Sequence, residues 1–389
     1  MKRSWFKRAR IFIKKQVLSI SPVWLKTLGL WDRSLDKRKE VRYYSEDEFI
    51  NWRKLLEGRD AEKSPLFSTI RASPARMPKA TAYCLPNVHV YKEIALSEKR
   101  LIVTDICKWE VWKKKIDINL RWSSFTVCWL KNVLSIKPIC FDYAVIVTPH
   151  NYMNYYHFIV DFLLRLQNYH RLADDLQVQP TFVATAPLSQ FHKAYFEILG
   201  IDVKQHRSFY THNLMVASRR RFGYSHSSES IKDLRSLLLE KLSISDAKPY
   251  RRIYISRDRA RTRSVKNEVQ LMRCLADKGF EKYRLEDLSV AEQICLFSES
   301  AVVVSPHGAG LANIIFSARP NLVELFPSEN AIWGHYASLC LSLGGVYESV
   351  SGRSHSWEGF CVDVDQVERA VDSALKIRKS GSVEERVFT

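Results

Sequence analysis

The sequence of 389 residues lacks the short motifs that often assign a function. Its eight cysteines form no C-x-x-C pair, which argues against a zinc site and favours buried thiols in a reducing compartment. No Asn-x-Ser/Thr sequon occurs, and no apolar run reaches the roughly 18 residues of a membrane span. The P-loop and G-x-G-x-x-G patterns are also missing. A zinc module, a membrane-spanning protein and the two common nucleotide-binding loops are therefore disfavoured.

Acidic residues are scarce, because 42 Asp and Glu stand against 60 Lys and Arg, a formal net charge of +18. Eight basic residues and no acidic one fall within residues 1–26. Seven more fall within residues 251–266, beside the single acid Asp258. Such an excess favours an anionic partner, whether nucleic acid, acidic lipid or a phosphate-bearing small molecule.

The N-terminal stretch has no signal-peptide pattern, because Lys14 and Lys15 interrupt its apolar residues. Its aromatic and aliphatic residues recur at helical spacing beside basic ones, which suits a helix lying on an anionic membrane surface. A basic helix packed on the rest of the chain fits the pattern equally well. We predict a basic arm over residues 1–60 and a cytoplasmic protein at the inner face of a membrane.

A polar break around Pro249 separates two regions in which strand and helix patterns alternate. Residues 61–248 contain β-rich runs such as PTFVATA and an apolar helix predicted over 155–169. Residues 249–376 alternate more regularly, and a tail follows over 377–389. Repeated β-α units predict parallel sheets covered by helices on both faces. We therefore predict an α/β chain with two Rossmann-like domains that face a cleft.

The segment VVVSPHGAGLANIIF, residues 302–316, places a histidine and two glycines after a buried strand. Ligands bind beyond the carboxyl ends of strands in doubly wound sheets, and glycine lets the backbone approach them closely. The N-terminus of a following helix would attract a phosphate, and His307 and Asn313 would add hydrogen-bond donors. A tight turn with a structural histidine is the alternative interpretation.

The segment YISRDRARTRSVKNEVQL, residues 254–271, begins at the carboxyl end of another predicted strand. Arg257 directly follows that strand, and three more arginines crowd the loop. The planar guanidinium group suits phosphate oxygens, so we favour an anion site over a solvated basic surface. Glu268 lies in the first turn of the next helix. Its presence is explained equally well by a favourable interaction with the helix dipole, without a role in ligand binding.

The segment NYYHFIVDFLLRL, residues 154–166, carries His157, Asp161 and Arg165 four residues apart on one helical face. A carboxylate in a cleft can act as a general base, and a neighbouring histidine can orient or polarise it. A polar stripe that satisfies itself within a packed helix is the alternative.

Taken together and in this order, these segments and LVELFP (residues 322–327) resemble glycosyltransferase family 61 over roughly residues 142–350. The resemblance implies a GT-B fold, a nucleotide-sugar held mainly by the C-terminal domain and an inverting transfer. It carries donor-binding roles to Arg257, Arg263, Asn267, Asn313, Glu324 and the turn of His307, Gly308, Ala309 and Gly310. Glu324 falls where a ribose contact is expected. Gln270 stands where family members often carry a second acid, so no catalytic carboxylate is assigned to that loop.

The hypothesis from the sequence is attack by a glycan hydroxyl, possibly of a lipid-linked acceptor, on a nucleotide-sugar, with a UDP-sugar favoured. Asp161 is the predicted base, with His157 as the alternate or helper. Arginines and the glycine turn would stabilise the leaving diphosphate without a metal or other cofactor, and surface polysaccharide or capsule synthesis is the predicted setting. Asp363-Val364-Asp365 has the D-x-D spelling of a metal motif, but we interpret Asp365 as a helix N-cap. The rival hypotheses are a pyruvyl transferase of similar fold and a non-catalytic nucleic-acid-binding protein; we expect no nucleic-acid partner.

Overall fold

The computed structural model describes residues 80–92, 94–97, 139–148, 151–222, 224–245, 248–328, 334–353 and 358–379, together with short strands at 27–28, 42–43, 48–49, 76–77 and 102–103. The predicted basic arm lies largely outside the described residues, as does most of the predicted tail. No helix in the described part combines the length and apolar character needed to cross a membrane.

Eight α-helices occur in the described residues: α1 Tyr155–Asp161, α2 Leu166–Leu176, α3 Gln190–Leu199, α4 Ser228–Lys241, α5 Glu268–Asp277, α6 Val290–Ser298, α7 His335–Ser342 and α8 Val364–Lys379. Short 3-10 helices cover Leu163–Arg165, Leu285–Asp287 and Ala309–Phe316. The helix ends follow local sequence: Ser289 forms a capping box with Glu292, and Gly200 ends α3 in the left-handed region.

The strands are β1 Thr27–Leu28, β2 Arg42–Tyr43, β3 Glu48–Phe49, β4 Arg76–Met77, β5 Thr81–Tyr91, β6 Ile94–Ser97, β7 Ile102–Val103, β8 Cys140–Ile146, β9 Thr181–Ala184, β10 Val203–Gln205, β11 Ser208–Ala217, β12 Arg221–Phe222, β13 Ser225–His226, β14 Arg251–Ile255, β15 Ser264–Val265, β16 Phe280–Tyr283, β17 Ser300–Pro306, β18 Asn321–Phe326, β19 Val346–Ser351 and β20 Gly359–Phe360.

Two sheets dominate the fold. The first is mixed: β11 pairs parallel with β8 and antiparallel with β5, and β8, β9 and β10 continue it in parallel. The second is wholly parallel, in the order β16-β14-β17-β18-β19. Helices cover these sheets, and β17 and β18 are buried along their whole length, as a parallel sheet between two helical layers requires. The predicted α/β class is confirmed, whereas the domain boundaries and the GT-B arrangement stay predictions.

One contiguous apolar cluster joins the two halves of the chain. It contains Val147 and Phe158 from the first half together with Ile255, Val303 and Tyr336 from the second. Helices of both halves therefore pack on one another near the ends of the parallel strands, which brings α1 toward the loops that follow β14 and β17.

Three local predictions were wrong. The helix predicted over 155–169 is interrupted after Asp161, because the backbone at Phe162 leaves the α region and a 3-10 turn follows. The helix predicted after the His307 turn is a 3-10 helix, whose last six residues are fully packed. The N-cap of α8 is Asp363, whose Oδ1 accepts a hydrogen bond from the Gln366 amide at 3.1 Å, rather than Asp365.

Candidate active site

The parallel sheet reverses its winding between β14 and β17. Numbered along the chain, its strands lie in the order 2-1-3-4-5, and in such sheets ligands bind outside the carboxyl ends of the strands that flank the reversal. β14 ends at Ile255 and β17 ends at Pro306, so the arginine loop and the glycine turn leave the same edge of the sheet side by side.

The two loops touch at Gly308. A Cβ atom there would overlap the Nη1 atom of Arg257, so the absence of a side chain lets the guanidinium lie against the turn. A cavity of about 190 Å³ opens beside this contact. Its walls come from both loops and from the 3-10 turn at Leu285–Asp287, and include Ser256, Arg257, Leu285, Glu286, Gly308 and Gly310.

Arg257 and Arg263 place two positive charges close together in this partly buried place. Burial lowers the pKa of Arg257, and the neighbouring charge of Arg263 lowers it further. Burial also lowers the pKa of Arg263, against the opposing influence of Tyr336 and Glu324. Arg263 holds a left-handed backbone conformation, with φ of 61°, which non-glycine residues rarely adopt. Like charges gathered by a strained loop indicate a site that an anion would relieve.

His307 is held from behind by a buried carboxylate. Its Nδ1 lies 2.5 Å from Oε1 of Glu324, and Nδ1 is the donor because a carboxylate only accepts. The Tyr347 hydroxyl donates to the other oxygen of Glu324 at 2.8 Å. Glu324 is fully buried, so both of its oxygens serve the fold rather than the open cavity. The arrangement fixes the orientation of the histidine ring at the start of the glycine turn.

Glu268 anchors the start of the arginine loop. Its Oε1 accepts hydrogen bonds from the Tyr254 hydroxyl at 2.9 Å and the Ser256 hydroxyl at 2.6 Å, and Lys282 contacts Oε2. Asn267 turns away from the cavity, because its amide binds the backbone N–H and C=O of Val362 at 3.0 and 2.9 Å. These two residues hold the loop on the sheet and on the C-terminal segment.

A second histidine–carboxylate pair lies on α1. His157 Nδ1 is 2.7 Å from Asp161 Oδ2, and Arg221 Nε donates to Asp161 Oδ1 at 3.2 Å. Burial alone would raise the pKa of Asp161, but the charge of Arg221 and the hydrogen bond with His157 outweigh it, and Arg219 and Arg165 add to their effect. The pKa of Asp161 therefore lies well below its usual value, and its carboxylate stays ionised.

The two pairs are joined by aromatic and polar contacts. The Tyr155 hydroxyl donates to Asn313 Oδ1 at 2.5 Å, which ties α1 to the 3-10 helix after Gly308. The ring of Tyr336 lies 5.1 Å from that of His307 and 5.6 Å from that of Tyr156. All three clusters predicted from the sequence thus meet at one edge of the parallel sheet.

His335 lies between the two pairs. Burial lowers its pKa to about 4, and the charges of Arg221, His307 and His157 contribute in the same direction. Its neutral ring lies 5.2 Å from that of Tyr156, which in turn contacts His226 Nε2 through its hydroxyl at 2.9 Å.

The predicted site residues divide into two groups. Arg257, Gly308 and Gly310 line the cavity, and Arg263 and His307 stand close to it. The side chains of Asn267, Asn313 and Glu324 are already used by protein partners, and Ala309 is half-buried in the turn. Within the described residues, no three His, Cys, Asp or Glu side chains are grouped as metal ligands would be.

Sequence reasoning missed Arg221, Tyr156, His226, His335 and Tyr336. The triple arginine at 219–221 was the available signal, because three adjacent charges before a strand are hard to bury without a counter-charge. Nothing in the spacing of His335 and Tyr336 connects them with residues 157–161.

The segment that contains most of these site residues matches a known protein family. The family model described as Glycosyltransferase 61 matches residues 155–323, from the first residue of α1 into β18. Protein O-linked-mannose beta-1,4-N-acetylglucosaminyltransferase 2 of Canis lupus familiaris is 35% identical over 107 residues, and that of Bos taurus is 36% identical over 107 residues. Each match covers 26% of this chain and 18% of the relative, so the chain spans less than a fifth of those proteins. The predicted resemblance is confirmed.

Proposed function

We propose that the chain is an inverting glycosyltransferase that moves a sugar from a nucleotide-sugar to a glycan hydroxyl, and the match of residues 155–323 to the Glycosyltransferase 61 model supports this. The observation that carries the proposal is the meeting of Arg257, Arg263 and the His307–Gly310 turn beside one cavity at the switch point of the sheet. A nucleotide-sugar brings a diphosphate, which is the kind of anion that two adjacent guanidinium groups and a glycine turn would hold.

On the donor side, Arg257 and Arg263 would take the diphosphate oxygens. Both guanidinium groups are partly desolvated and repel each other, so an anion between them gains more than it would from exposed arginines. His307, fixed through Glu324, would hold the glycine turn in position beside the same group. These cations would stabilise the charge that develops on the leaving diphosphate, and we propose that they do so without a metal.

On the acceptor side, the geometry favours His157 as the base and Asp161 as the residue that orients it. The ion pair with Arg221 helps to lower the pKa of Asp161 far below its usual value, and a carboxylate with so low a pKa accepts a proton poorly. His157 keeps a quarter of its side chain exposed, and its Nδ1 is held by Asp161, which leaves Nε2 for the acceptor proton. This reverses the roles predicted from the sequence.

The proposed reaction is a single displacement at the anomeric carbon of the donor sugar. His157 Nε2 takes the hydroxyl proton while the acceptor oxygen forms a bond to the anomeric carbon, and the bond from that carbon to the diphosphate breaks. Attack from the face opposite the leaving group inverts the anomeric configuration. The GT-B arrangement, with donor and acceptor sides on facing halves, belongs to this proposal.

The finer assignments are also proposed. A UDP-sugar is the first donor class to test, and N-acetylglucosamine is the first sugar because the relatives are named for its transfer. A glycan acceptor, lipid-linked and held near an anionic membrane by the basic N-terminal residues, would suit surface polysaccharide synthesis.

A thermal-shift panel tests the donor class. UDP-, GDP-, CMP- and dTDP-sugars are compared with phosphoenolpyruvate, since a ligand at 100 times its dissociation constant adds about 2.7 kcal/mol of stability. We expect one class of nucleotide-sugar to raise the melting temperature and phosphoenolpyruvate to have no effect. A shift with phosphoenolpyruvate alone would favour a pyruvyl transferase, and the absence of any shift would contradict the proposal.

A further inference from the structure

The cavity at the switch point has two chemically different walls. One wall carries Arg257 against Gly308, and another carries Glu286 in the 3-10 turn after β16. The two charges sense each other, because Glu286 acts to raise the pKa of Arg257, but they form no ion pair. A ligand that fills the cavity therefore meets a cation on one side and a carboxylate on the other.

Glu286 differs from the charged residues around it. Arg284 donates to both oxygens of Asp258, at 2.8 and 2.6 Å, and Arg259 donates to Asp287 at 2.6 Å. Within the described part of the chain, Glu286 makes no hydrogen bond or ion pair, although it lines the cavity. The acid that faces the cavity is thus the one whose oxygens are left for a ligand.

The turn that carries Glu286 is held in place. Gln293 donates from Nε2 to the carbonyl oxygens of Leu285 at 2.9 Å and of Leu288 at 3.1 Å. Asn313 in turn donates to Oε1 of Gln293 at 2.9 Å. Leu285 also packs against Gly310, where a Cβ atom would overlap its side chain. The backbone that carries the exposed Glu286 side chain is therefore fixed relative to the glycine turn.

A carboxylate repels phosphate, and it can accept hydrogen bonds but not donate them. Glu286 would therefore face hydrogen-bond donors on the ligand. In a nucleoside diphosphate the nearest donors to the phosphates are the vicinal hydroxyls of the ribose, one methylene away. Two adjacent hydroxyls match the two oxygens of one carboxylate. Glu324, for which the sequence predicted a ribose contact, is fully buried and already occupied by His307 and Tyr347.

We propose that Glu286 binds the ribose diol of the nucleotide and so discriminates ribonucleotides from deoxyribonucleotides. The inference rests on the proposed function, since it needs a nucleotide whose diphosphate lies at Arg257. Accepting a hydrogen bond at a charged group makes each hydroxyl worth about a tenfold change in affinity or more.

Isothermal titration calorimetry with UDP, GDP, ADP and CDP and their 2′-deoxy counterparts tests the proposal. The wild-type protein should bind the best ribonucleotide about tenfold more tightly than its 2′-deoxy form. Glu286→Gln and Glu286→Ala should bring the two affinities within about twofold, mainly by weakening the ribonucleotide. Asp287→Asn removes the same charge one residue away, from a carboxylate held by Arg259, and should keep the wild-type preference.

Each other result has a distinct meaning. Wild-type binding of diphosphates with an unchanged ribose preference in Glu286→Gln would overturn the inference and leave the proposed function standing. Equal weakening of the ribo and deoxy forms, or a change only in the order of the bases, would also overturn it. Failure of the wild-type protein to bind any of the eight nucleotides would overturn the proposed function itself.

Discussion

Replacing Asp161 by Asn tests which of Asp161 and His157 is the general base and which one orients it. Asp161 is 7% exposed and lies between His157 Nδ1 at 2.7 Å and Arg221 Nε at 3.2 Å. Asparagine keeps the shape but has one acceptor oxygen, and its NH₂ group would face a donor on one side or the other. The substitution therefore removes the counter-charge of Arg221 and loosens the hold on His157.

The expected magnitudes follow from this geometry. Breaking a buried pair by removing one partner costs about 3–5 kcal/mol of unfolding free energy, because the other charge stays buried. Transfer should also slow, since a base that is no longer oriented loses part of the roughly 10²–10⁴-fold that general-base catalysis supplies. His157→Ala should remove that whole factor but cost far less stability, because His157 is only partly buried.

The stability effect of Asp161 has a defined pH dependence. Its folded-state pKa lies below the ordinary value near 4, so its contribution is complete above about pH 4 and is lost as the pH falls toward the folded-state pKa. The gap in unfolding free energy between wild type and Asp161→Asn should therefore narrow below about pH 4.

The assay combines urea unfolding with initial rates of sugar transfer across pH. Asp202→Asn, which removes an exposed partner of Lys204, is the matched control and should change neither quantity. His157→Ala should lower the transfer rate by about 10²–10⁴-fold, while its urea unfolding stays close to that of the wild type. If His157→Ala keeps its rate within about tenfold while Asp161→Asn abolishes transfer without loss of stability, Asp161 is the base and the reasoning fails.

Three further predictions concern the same region. Gly308→Ala should weaken nucleoside diphosphate binding about tenfold, because the new Cβ atom would displace the Arg257 guanidinium. In a protein that already carries Arg257→Gln, Gly308→Ala should weaken binding little further, and additive losses of affinity in the double variant would contradict the contact. Because the pKa of His335 is lowered to about 4, the unfolded state binds its proton first as the pH falls. The wild type should lose about 2 kcal/mol of unfolding free energy between about pH 7 and pH 5, and His335→Gln should not show this loss. His212→Gln, at an exposed position, is the control. Equal losses in the wild type and His335→Gln would refute this prediction. Arg263→Asn should weaken diphosphate binding yet unfold at a slightly higher urea concentration, by up to about 1 kcal/mol, because asparagine tolerates φ of 61°; a clear loss of stability would contradict the strain argument.

Much of the parallel sheet could be predicted because its strands are short apolar runs closed by turn signals. The run before Ser305 and the capping residue Ser289 each indicate their elements locally. The convergence of Arg257 and Gly308 was also predictable, since carboxyl ends of parallel strands share one edge.

The sequence did not reveal which side chains are spent on holding the site together. Asn267 and Asn313 look like ligand donors in a motif, but their amides bind Val362 in one case and Tyr155 and Gln293 in the other. Such partners lie between about 20 and 160 residues away, and no periodicity encodes them. The pairing of Asp161 with Arg221, which turns a predicted base into an orienting group, is of the same kind.

The most direct test of the central claim is the affinity of the best-binding nucleoside diphosphate for Arg257→Gln compared with Arg261→Gln. Both variants lose one charge from the same loop, but Arg257 lines the cavity whereas Arg261 is exposed. Titration calorimetry should show about 10- to 100-fold weaker binding for Arg257→Gln and a change within about twofold for Arg261→Gln. Equal affinities for the two variants would contradict the anion site on which the proposed transfer depends.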